Sequence, residues 1–187
     1  MTEPSSHNQK TPEPFKGGLI QVFTGEGKGK TSAALGTVLR ALGHGLKVCV
    51  VVFMKGDYPY GEWQALSNFP NVTIKRFGLR TFTDPKKLKP EEIEQAKLAL
   101  KTAGEAISGG EYDLVVLDEV NVAVAWNLIT IDELIKLIEN RAPNVEILIT
   151  GRQADARLIE IADLVTECIK IKHPYDRGIR ARIGLEY

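Results

Sequence analysis

The residues from 24 to 32 have the types and spacing of a phosphate-binding loop. Glycines let backbone amides turn toward an anion, because no Cβ atom blocks the approach. The ammonium group of Lys30 would reach the phosphates, and the hydroxyl of Thr31 would bind a magnesium ion. The residues that we expect to bind the phosphates of a nucleoside triphosphate here are Thr24, Gly25, Glu26, Gly27, Lys28, Gly29, Lys30, Thr31 and Ser32.

The loop is one residue shorter than the usual pattern G-x-x-x-x-G-K-[ST]. That pattern would place its first glycine at position 24, where the chain has Thr24, and the nearest glycine is Gly25. The alternative interpretation is a surface turn rich in glycine and lysine that binds nothing. An apolar run before the loop, a helical run after it and a later acidic strand end together favour phosphate binding.

A second pattern places two carboxylates at the end of an apolar strand. Leu114–Leu117 is followed directly by Asp118 and Glu119. Near a phosphate-binding loop this is the Walker B arrangement, in which an acid holds Mg²⁺ directly or through water. An acidic turn after a core strand is the alternative, which the upstream loop disfavours. The pattern leaves open which of the two carboxylates contacts the metal.

Further candidates lie where other apolar runs end, at the edge of the sheet where parallel α/β proteins bind ligands. Lys55 and Gly56 follow one such run, and Arg152 follows another. Arg152 would reach the phosphates or be a plain surface residue. The long segment 77–89 has no apolar periodicity. Its Phe82 would either anchor the loop by packing or cover a large apolar ligand, and composition does not separate the two.

The elements that must position these residues alternate between strands and helices, which favours an α/β fold. Strands are predicted at Leu19–Phe23, Val48–Phe53, Val72–Arg76, Leu114–Leu117, Val145–Thr150 and Leu164–Lys172. Helices are predicted at Ala33–Leu42, Glu62–Phe69, Pro90–Ser108, Asn121–Trp126, 131–140 and Asp155–Ala162. We expect one P-loop NTPase-like domain at residues 18–187, with a mostly parallel β-sheet flanked by helices, after a disordered tail at residues 1–17.

Composition excludes several classes of function. The 187 residues contain 24 basic and 24 acidic side chains, so the net charge is zero and bulk electrostatics do not suggest a nucleic-acid partner. No signal peptide and no apolar run of membrane-spanning length is visible, which predicts a cytoplasmic protein without a membrane partner. Cys49 and Cys168 lie in apolar runs and are interpreted as buried residues in a reducing compartment. The residues offer no obvious nucleophile.

Several segments together resemble the P-loop type of corrinoid adenosyltransferase, over residues 18–187. The motifs that carry the resemblance are the shortened loop, Gly36, Thr37 and Arg40, Phe53–Gly56, Gly61-Glu62, Val116–Glu119, Ile149–Arg152 and His173–Tyr187. The resemblance implies transfer of the 5′-deoxyadenosyl group of ATP to the Co(I) centre of a reduced corrinoid, cobalamin or a precursor. Triphosphate is released, and the reaction serves adenosylcobalamin biosynthesis or salvage. The corrinoid itself then supplies the nucleophile.

The resemblance also implies roles for individual residues. Lys30 and Glu119 would be catalytic; Thr31, Asp118 and Glu119 would hold Mg²⁺; Arg40 and Arg152 would join the loop in binding ATP; Phe82, Lys55 and Gly56 would bind the corrinoid. ATP would lie in reversed phosphate order relative to other P-loop proteins. A homodimer is implied, with the amino-terminal segment covering the partner's site, and an electron-donating flavoprotein reductase is a possible partner.

The chain departs from the family at one corrinoid-facing position. The family's loop often reads Gly-Phe-Thr-Trp, whereas the matching stretch here is Thr81-Phe82-Thr83-Asp84. Replacing the indole by Asp84 removes stacking area on the corrin. Two alternatives therefore accompany the transferase: a small P-loop kinase or NTPase, and an ATP-dependent carrier that holds a corrinoid without transforming it.

Overall fold

A single parallel sheet forms the centre of the molecule. The computed structural model describes residues 17–81 and 83–186. Its strands are β1 (Ile20–Thr24), β2 (Val48–Val52), β3 (Val72–Arg76), β4 (Leu114–Asp118), β5 (Glu146–Thr150) and β6 (Leu164–Glu167). They form one six-stranded sheet in the order β3-β2-β4-β5-β1-β6. Every pair of neighbouring strands is parallel, which confirms the predicted P-loop NTPase-like α/β fold.

Helices cover both faces of this sheet. They are α1 (Lys30–Gly43), α2 (Gly61–Leu66), α3 (Pro90–Ser108), α4 (Val120–Ala125), α5 (Ile131–Glu139) and α6 (Ala156–Ile161), followed by a short 3₁₀ helix at Pro174–Arg177. Side chains of β2 alternate between two cores: Val48, Val50 and Val52 pack with α1 and α2, whereas Cys49 and Val51 pack with α3. Because successive side chains of a strand point to opposite faces, a strand covered on both sides is apolar throughout.

Several element boundaries differ from the prediction by a few residues, and two of these differences have clear physical reasons. Helix α1 begins at Lys30 rather than at Ala33, because the carbonyl of Gly29 already accepts the N–H of Ala33 at 2.7 Å. Strand β6 ends at Glu167 rather than at Lys172, because its neighbour β1 ends at Thr24 and the chain turns into the phosphate-binding loop. Cys168 therefore follows the strand and is half-buried, so its predicted burial was wrong; Cys49 is buried as expected.

The order of the strands places one strand between the glycine-rich loop and the acidic pair Asp118-Glu119. Strand β5 lies between β1, which leads into the glycine-rich loop, and β4, which ends in Asp118. Neighbouring strands are about 4.8 Å apart, so side chains must bridge roughly twice that distance. In residues 17–81 and 83–186, no helix combines the length and apolarity that a membrane span needs. The predicted disordered tail lies, apart from Gly17, outside the described residues.

Candidate active site

The glycine-rich loop encloses the side chain of Lys30. The Lys30 ammonium donates to the carbonyl oxygens of Gly25 at 2.8 Å and Gly27 at 2.7 Å, and the residue is 8% exposed. Burial lowers the pKa of Lys30, while the charge of Glu119 opposes that shift. The first N–H groups of α1 have no partner within the helix and carry its positive dipole end. The loop thus combines a buried cation with an anion-attracting helix terminus.

The loop needs its glycines because it packs directly on the end of β6. A Cβ atom at Gly25 would lie 2.6 Å from the carbonyl oxygen of Cys168. At Gly27 the same oxygen would be 2.7 Å away, and the Gly27 N–H donates to it at 2.6 Å. Backbone atoms cannot yield at such distances, so no other residue fits either position. The shortened loop is therefore held in shape by the neighbouring strand end.

Asp118 is fully buried and has a partner at each oxygen. The hydroxyls of Thr31 and Thr150 donate to Oδ1 at 2.8 and 2.7 Å, and the Lys55 ammonium lies 2.6 Å from Oδ2. Thr150 ends the intervening strand β5, and its hydroxyl also accepts the N–H of Glu119 at 3.0 Å. Asp118 thus positions the Thr31 hydroxyl and connects α1, β4 and β5 at one edge of the sheet.

Glu119 differs from its neighbour in both backbone and exposure. It has φ 63°, a left-handed conformation that is uncommon for a residue with a side chain. Such strain clusters at functional sites, where the surrounding structure enforces it. The side chain is 26% exposed and its Oε1 lies 3.6 Å from the Lys55 ammonium. Burial and the charge of Asp118 raise the pKa of Glu119, and Lys55 opposes them.

The carboxyl-terminal segment forms one wall of the site. The Lys28 ammonium donates to the carbonyl of Leu185 at 2.7 Å and to the Glu186 carboxylate at 3.0 Å. Arg182 binds the same carboxylate, with its Nε 3.1 Å from Oε2. Hydrogen bonds from Arg182 and Lys28 lower the pKa of Glu186 to about 2. Lys28 therefore connects the phosphate-binding loop to the end of the chain.

Two cavities meet at this edge of the sheet. The first, of about 530 Å³, is lined by the glycine-rich loop and polar side chains that include Glu62 and His173. The second, of about 650 Å³, is more apolar, and Met54, Leu79, Val122 and Trp126 contribute to its walls. Lys55, Tyr60, Glu119, Arg152 and Glu186 line both cavities. The first cavity is thus a polar site suited to an anion, and the adjoining second cavity is suited to a large, partly apolar molecule.

The floor of the second cavity depends on a close approach of two loops. A Cβ atom at Gly56 would lie 2.7 Å from the carbonyl oxygen of Gly78, and one at Gly78 would lie 2.6 Å from a backbone carbon of Met54. Gly56 therefore supports this cavity through its backbone and does not line it. Phe82, the other residue expected to bind the corrinoid, lies outside the described residues.

Most of the residues expected to bind ATP gather around the first cavity, with three exceptions. The hydroxyl of Thr24 is turned into the fold, where it accepts the N–H of Ala154 at 3.2 Å. Gly25 contributes its carbonyl to Lys30 rather than a wall. Arg40 lies in the last turn of α1, about 15 Å along the helix from Lys30, and is exposed. Arg152 does reach the cavity, where its guanidinium lies 3.3 Å from Glu26.

Sequence reasoning missed several contributors to the site. Thr150 carried a signal, since it ends a buried strand next to Gly151-Arg152, but its role depends on contact with a residue 32 positions away. Trp126 also had a recognisable sequence signal, because it is a large aromatic residue shortly after the acidic pair Asp118-Glu119. Glu186 lies in the carboxyl-terminal run that carried the resemblance, but no local pattern assigned a role to it or to Tyr60, because their positions follow from how distant loops fold over the sheet.

Comparison with known proteins places the chain in a family. A family model described as ATP:corrinoid adenosyltransferase BtuR/CobO/CobP matches residues 16–187. A corrinoid adenosyltransferase of Pseudomonas aeruginosa is 38% identical over 170 residues, which is 91% of this chain and 84% of that protein. The corrinoid adenosyltransferase of Escherichia coli K12 is 36% identical over 91% of this chain and 86% of its own length. The resemblance drawn from the motifs is confirmed: this chain is an enzyme that belongs to the ATP:corrinoid adenosyltransferase family.

Proposed function

We propose that this enzyme transfers the 5′-deoxyadenosyl group of ATP to the Co(I) centre of a reduced corrinoid and releases intact triphosphate. The observation that carries the proposal is the pair of adjoining cavities. One has the phosphate-binding loop and the other has apolar walls large enough for part of a corrin ring. An NTPase would need only the first cavity, whereas a kinase would use the second for its phosphoryl acceptor, so the reaction products separate a kinase from the transferase.

Within this proposal the protein aligns the reactants and supplies no nucleophile. ATP lies with its triphosphate on the loop, and the corrinoid places its cobalt toward carbon 5′ of the ribose. The electron pair of Co(I) forms the Co–C bond, and the C5′–O5′ bonding pair leaves with triphosphate. Binding both reactants in line accounts for much of the rate increase, because the bimolecular encounter is then already complete.

We propose that Mg²⁺ accompanies ATP, and the donor set fits that ion. In the part of the chain that the structure describes, no group of three or more His, Cys, Asp or Glu side chains could hold a metal alone. Magnesium usually takes one or two protein ligands and completes its shell with water and substrate phosphates. The Thr31 hydroxyl and the partly exposed Glu119 carboxylate match this need, whereas both oxygens of Asp118 are already bound. The ion would neutralise charge on the phosphates.

Lys30 and Lys28 have complementary tasks in the proposal. Lys30 is enclosed by the loop and would bind phosphate oxygens at the base of the first cavity. Lys28 is half exposed and bridges the loop to Glu186, so it would bind triphosphate nearer the cavity mouth. Fixed cations aimed at a leaving group are worth more in a partly buried site than in water.

We further propose a homodimer and an external electron donor. What supports the dimer is edge strand β6, whose Leu164 and Val165 are 42% and 41% exposed, followed by Ile169 at 71%. An exposed apolar edge strand is a template for pairing with a second chain. The amino-terminal segment that would cover the partner's site lies outside the described residues. Because Co(I) must be generated before transfer, a flavoprotein reductase is the proposed donor.

The proposal is tested by mixing the protein with Mg-ATP and chemically reduced cobalamin and recording the absorption spectrum before and after illumination. A light-sensitive adenosylcobalamin spectrum is expected, and Lys30→Ala should abolish it. The matched control is Lys101→Ala on the exposed surface of α3, which should retain full activity. Release of ADP would favour the kinase or NTPase, and corrinoid binding without any adenosyl product would favour the carrier.

A further inference from the structure

The residues that line both cavities identify where the reacting bond must lie. If ATP occupies the first cavity and the corrinoid the second, carbon 5′ of ATP must lie where the two cavities meet when it is transferred to cobalt. The walls at that point are Lys55, Tyr60, Glu119, Arg152 and Glu186. The α-phosphate is separated from carbon 5′ by a single oxygen, so it must lie beside the same wall. Charge that develops on that oxygen needs a cation there.

Two cations stand at the junction, and they differ in how firmly they are held. The Arg152 guanidinium is 59% exposed and has one carboxylate partner, Glu26, at 3.3 Å. The Lys55 side chain is 15% exposed, lies 2.6 Å from Asp118 and 3.6 Å from Glu119, and stands 5.4 Å above the Tyr60 ring. A charge held in place before the reaction costs no reorganisation during it. Lys55 is therefore the better placed of the two.

The fold fixes Lys55 from the backbone as well. Its neighbour Met54 has φ 64°, a left-handed conformation, two residues after the end of strand β2 at Val52. The backbone of Gly56 packs against the loop at Gly78, which restricts the turn from the other side. The carboxylates of Asp118 and Glu119, on the other side of the ammonium group, hold it in place by hydrogen bonding and charge. Lys55 is thus a fixed cation at the junction of the two cavities.

We propose that Lys55 binds the α-phosphate of ATP and stabilises the charge on O5′ as the C5′–O5′ bond breaks. The inference rests on the proposed function and assigns a catalytic residue within it. No proton is transferred: the bonding pair stays on the triphosphate, and the ammonium group offsets its charge. Lys55 was expected from its motif to face the corrinoid, and its position on both cavities gives it a task toward the nucleotide.

The test is single-turnover formation of adenosylcobalamin with pre-reduced cobalamin, using the unmodified protein and Lys55→Met. We expect the rate of Lys55→Met to fall by about 10²- to 10³-fold, the usual effect of removing one preorganised donor. Its dissociation constant for Mg-ATP should change by less than about tenfold. Lys101→Met, on the exposed face of α3, is the matched control and should behave as the unmodified protein.

A sulfur substitution in the nucleotide separates a catalytic from a merely structural role. ATP with sulfur at a non-bridging α-phosphate oxygen should react more slowly with the unmodified protein for at least one diastereomer. Lys55→Met should lose this sensitivity, because the contact to that oxygen is already gone. ATP with sulfur on the γ-phosphate should affect both proteins alike. If Lys55→Met is too unstable, Lys55→Arg, which keeps the charge but displaces it, should show a reduced sensitivity.

The outcomes distinguish the two proposals. If the unmodified protein makes adenosylcobalamin but Lys55→Met reacts at an undiminished rate, the role of Lys55 is overturned and the proposed function stands. Equal slowing of both proteins by the α-sulfur would also overturn it, since Lys55 would then act only through the structure. If the unmodified protein makes no adenosyl product, both proposals fail.

Discussion

The buried pair between Lys55 and Asp118 leads to a prediction about stability. Lys55→Met removes the cation at 2.6 Å and leaves the fully buried Asp118 carboxylate with the hydroxyls of Thr31 and Thr150. Removing one partner of a buried ion pair destabilises a protein by about 3–5 kcal/mol. The two hydroxyl donors place the loss at the lower end, about 3 kcal/mol, which corresponds to a decrease in Tm of roughly 6–12 °C for a domain of this size.

A double-mutant cycle isolates the interaction. Asp118→Asn leaves Lys55 near Glu119 at 3.6 Å, so its cost should be smaller, about 2 kcal/mol. In the double variant neither charge is left unpaired, and we expect it to be more stable than the sum of the single losses predicts, by about 2 kcal/mol. Urea unfolding followed by tryptophan fluorescence measures all four proteins, with equal m-values as the check on two-state behaviour.

A surface pair is the control for this cycle. Lys101 and Glu105 lie 3.9 Å apart on α3 and are 74% and 68% exposed. Because water screens such pairs, Lys101→Met should change the free energy of unfolding by less than about 0.5 kcal/mol. Losses at Lys55 and Asp118 that simply add, or a Lys55→Met cost no larger than the surface control, would refute the reasoning.

Three further predictions concern a helix terminus, a loop and the second cavity. Hydrogen bonds from Thr130 lower the pKa of Glu133 below 4.5, so the ionised carboxylate stabilises the fold above that pH. As the pH falls through the folded pKa, the stability of Glu133→Gln should approach that of the unmodified protein. A difference in stability that does not change with pH would contradict the capping box. Gly78→Ala should destabilise the protein by more than about 2 kcal/mol, because φ is +122° and the new Cβ would lie 2.6 Å from a backbone atom of Met54. The control Gly110→Ala, with φ +67° and open space around the new Cβ, should cost about 1 kcal/mol. Equal decreases in Tm would contradict the close packing of Gly78 on Met54. Trp126→Ala should raise the KM for cobalamin about tenfold with little change for ATP, because an aromatic wall is lost; parallel changes in both KM values would remove that residue from the corrinoid cavity.

The parts of the molecule that could be predicted from the sequence are those set by local physics. Continuous apolar runs identify the buried strands, and Thr130 with Glu133 forms the expected capping box of α5. The glycine-rich loop was predictable because its function needs particular residues next to each other. Its register against β6 was not, since Gly25 and Gly27 contact a strand end that follows more than a hundred positions later.

Which carboxylate of the acidic pair is enclosed and which stays partly exposed is decided by the tertiary structure. Asp118 and Glu119 are adjacent in sequence, but partners 63 and 32 positions from Asp118 decide that it is enclosed. Arg40 illustrates the opposite difficulty: a family motif does not show which end of a helix faces the cavity, and Arg40 lies in the last turn of α1, away from the glycine-rich loop. The second cavity is built by several loops whose approach no local pattern records.

The central claim is tested most directly by following both ends of one ATP molecule. ATP labelled in the adenine ring and at the γ-phosphate is incubated with the enzyme and reduced cobalamin, and the products are separated in the dark. We predict that the adenine label appears in adenosylcobalamin and the phosphate label in intact triphosphate, in equal amounts. Phosphate label in orthophosphate with adenine label in ADP, and none in the corrinoid, would contradict the account.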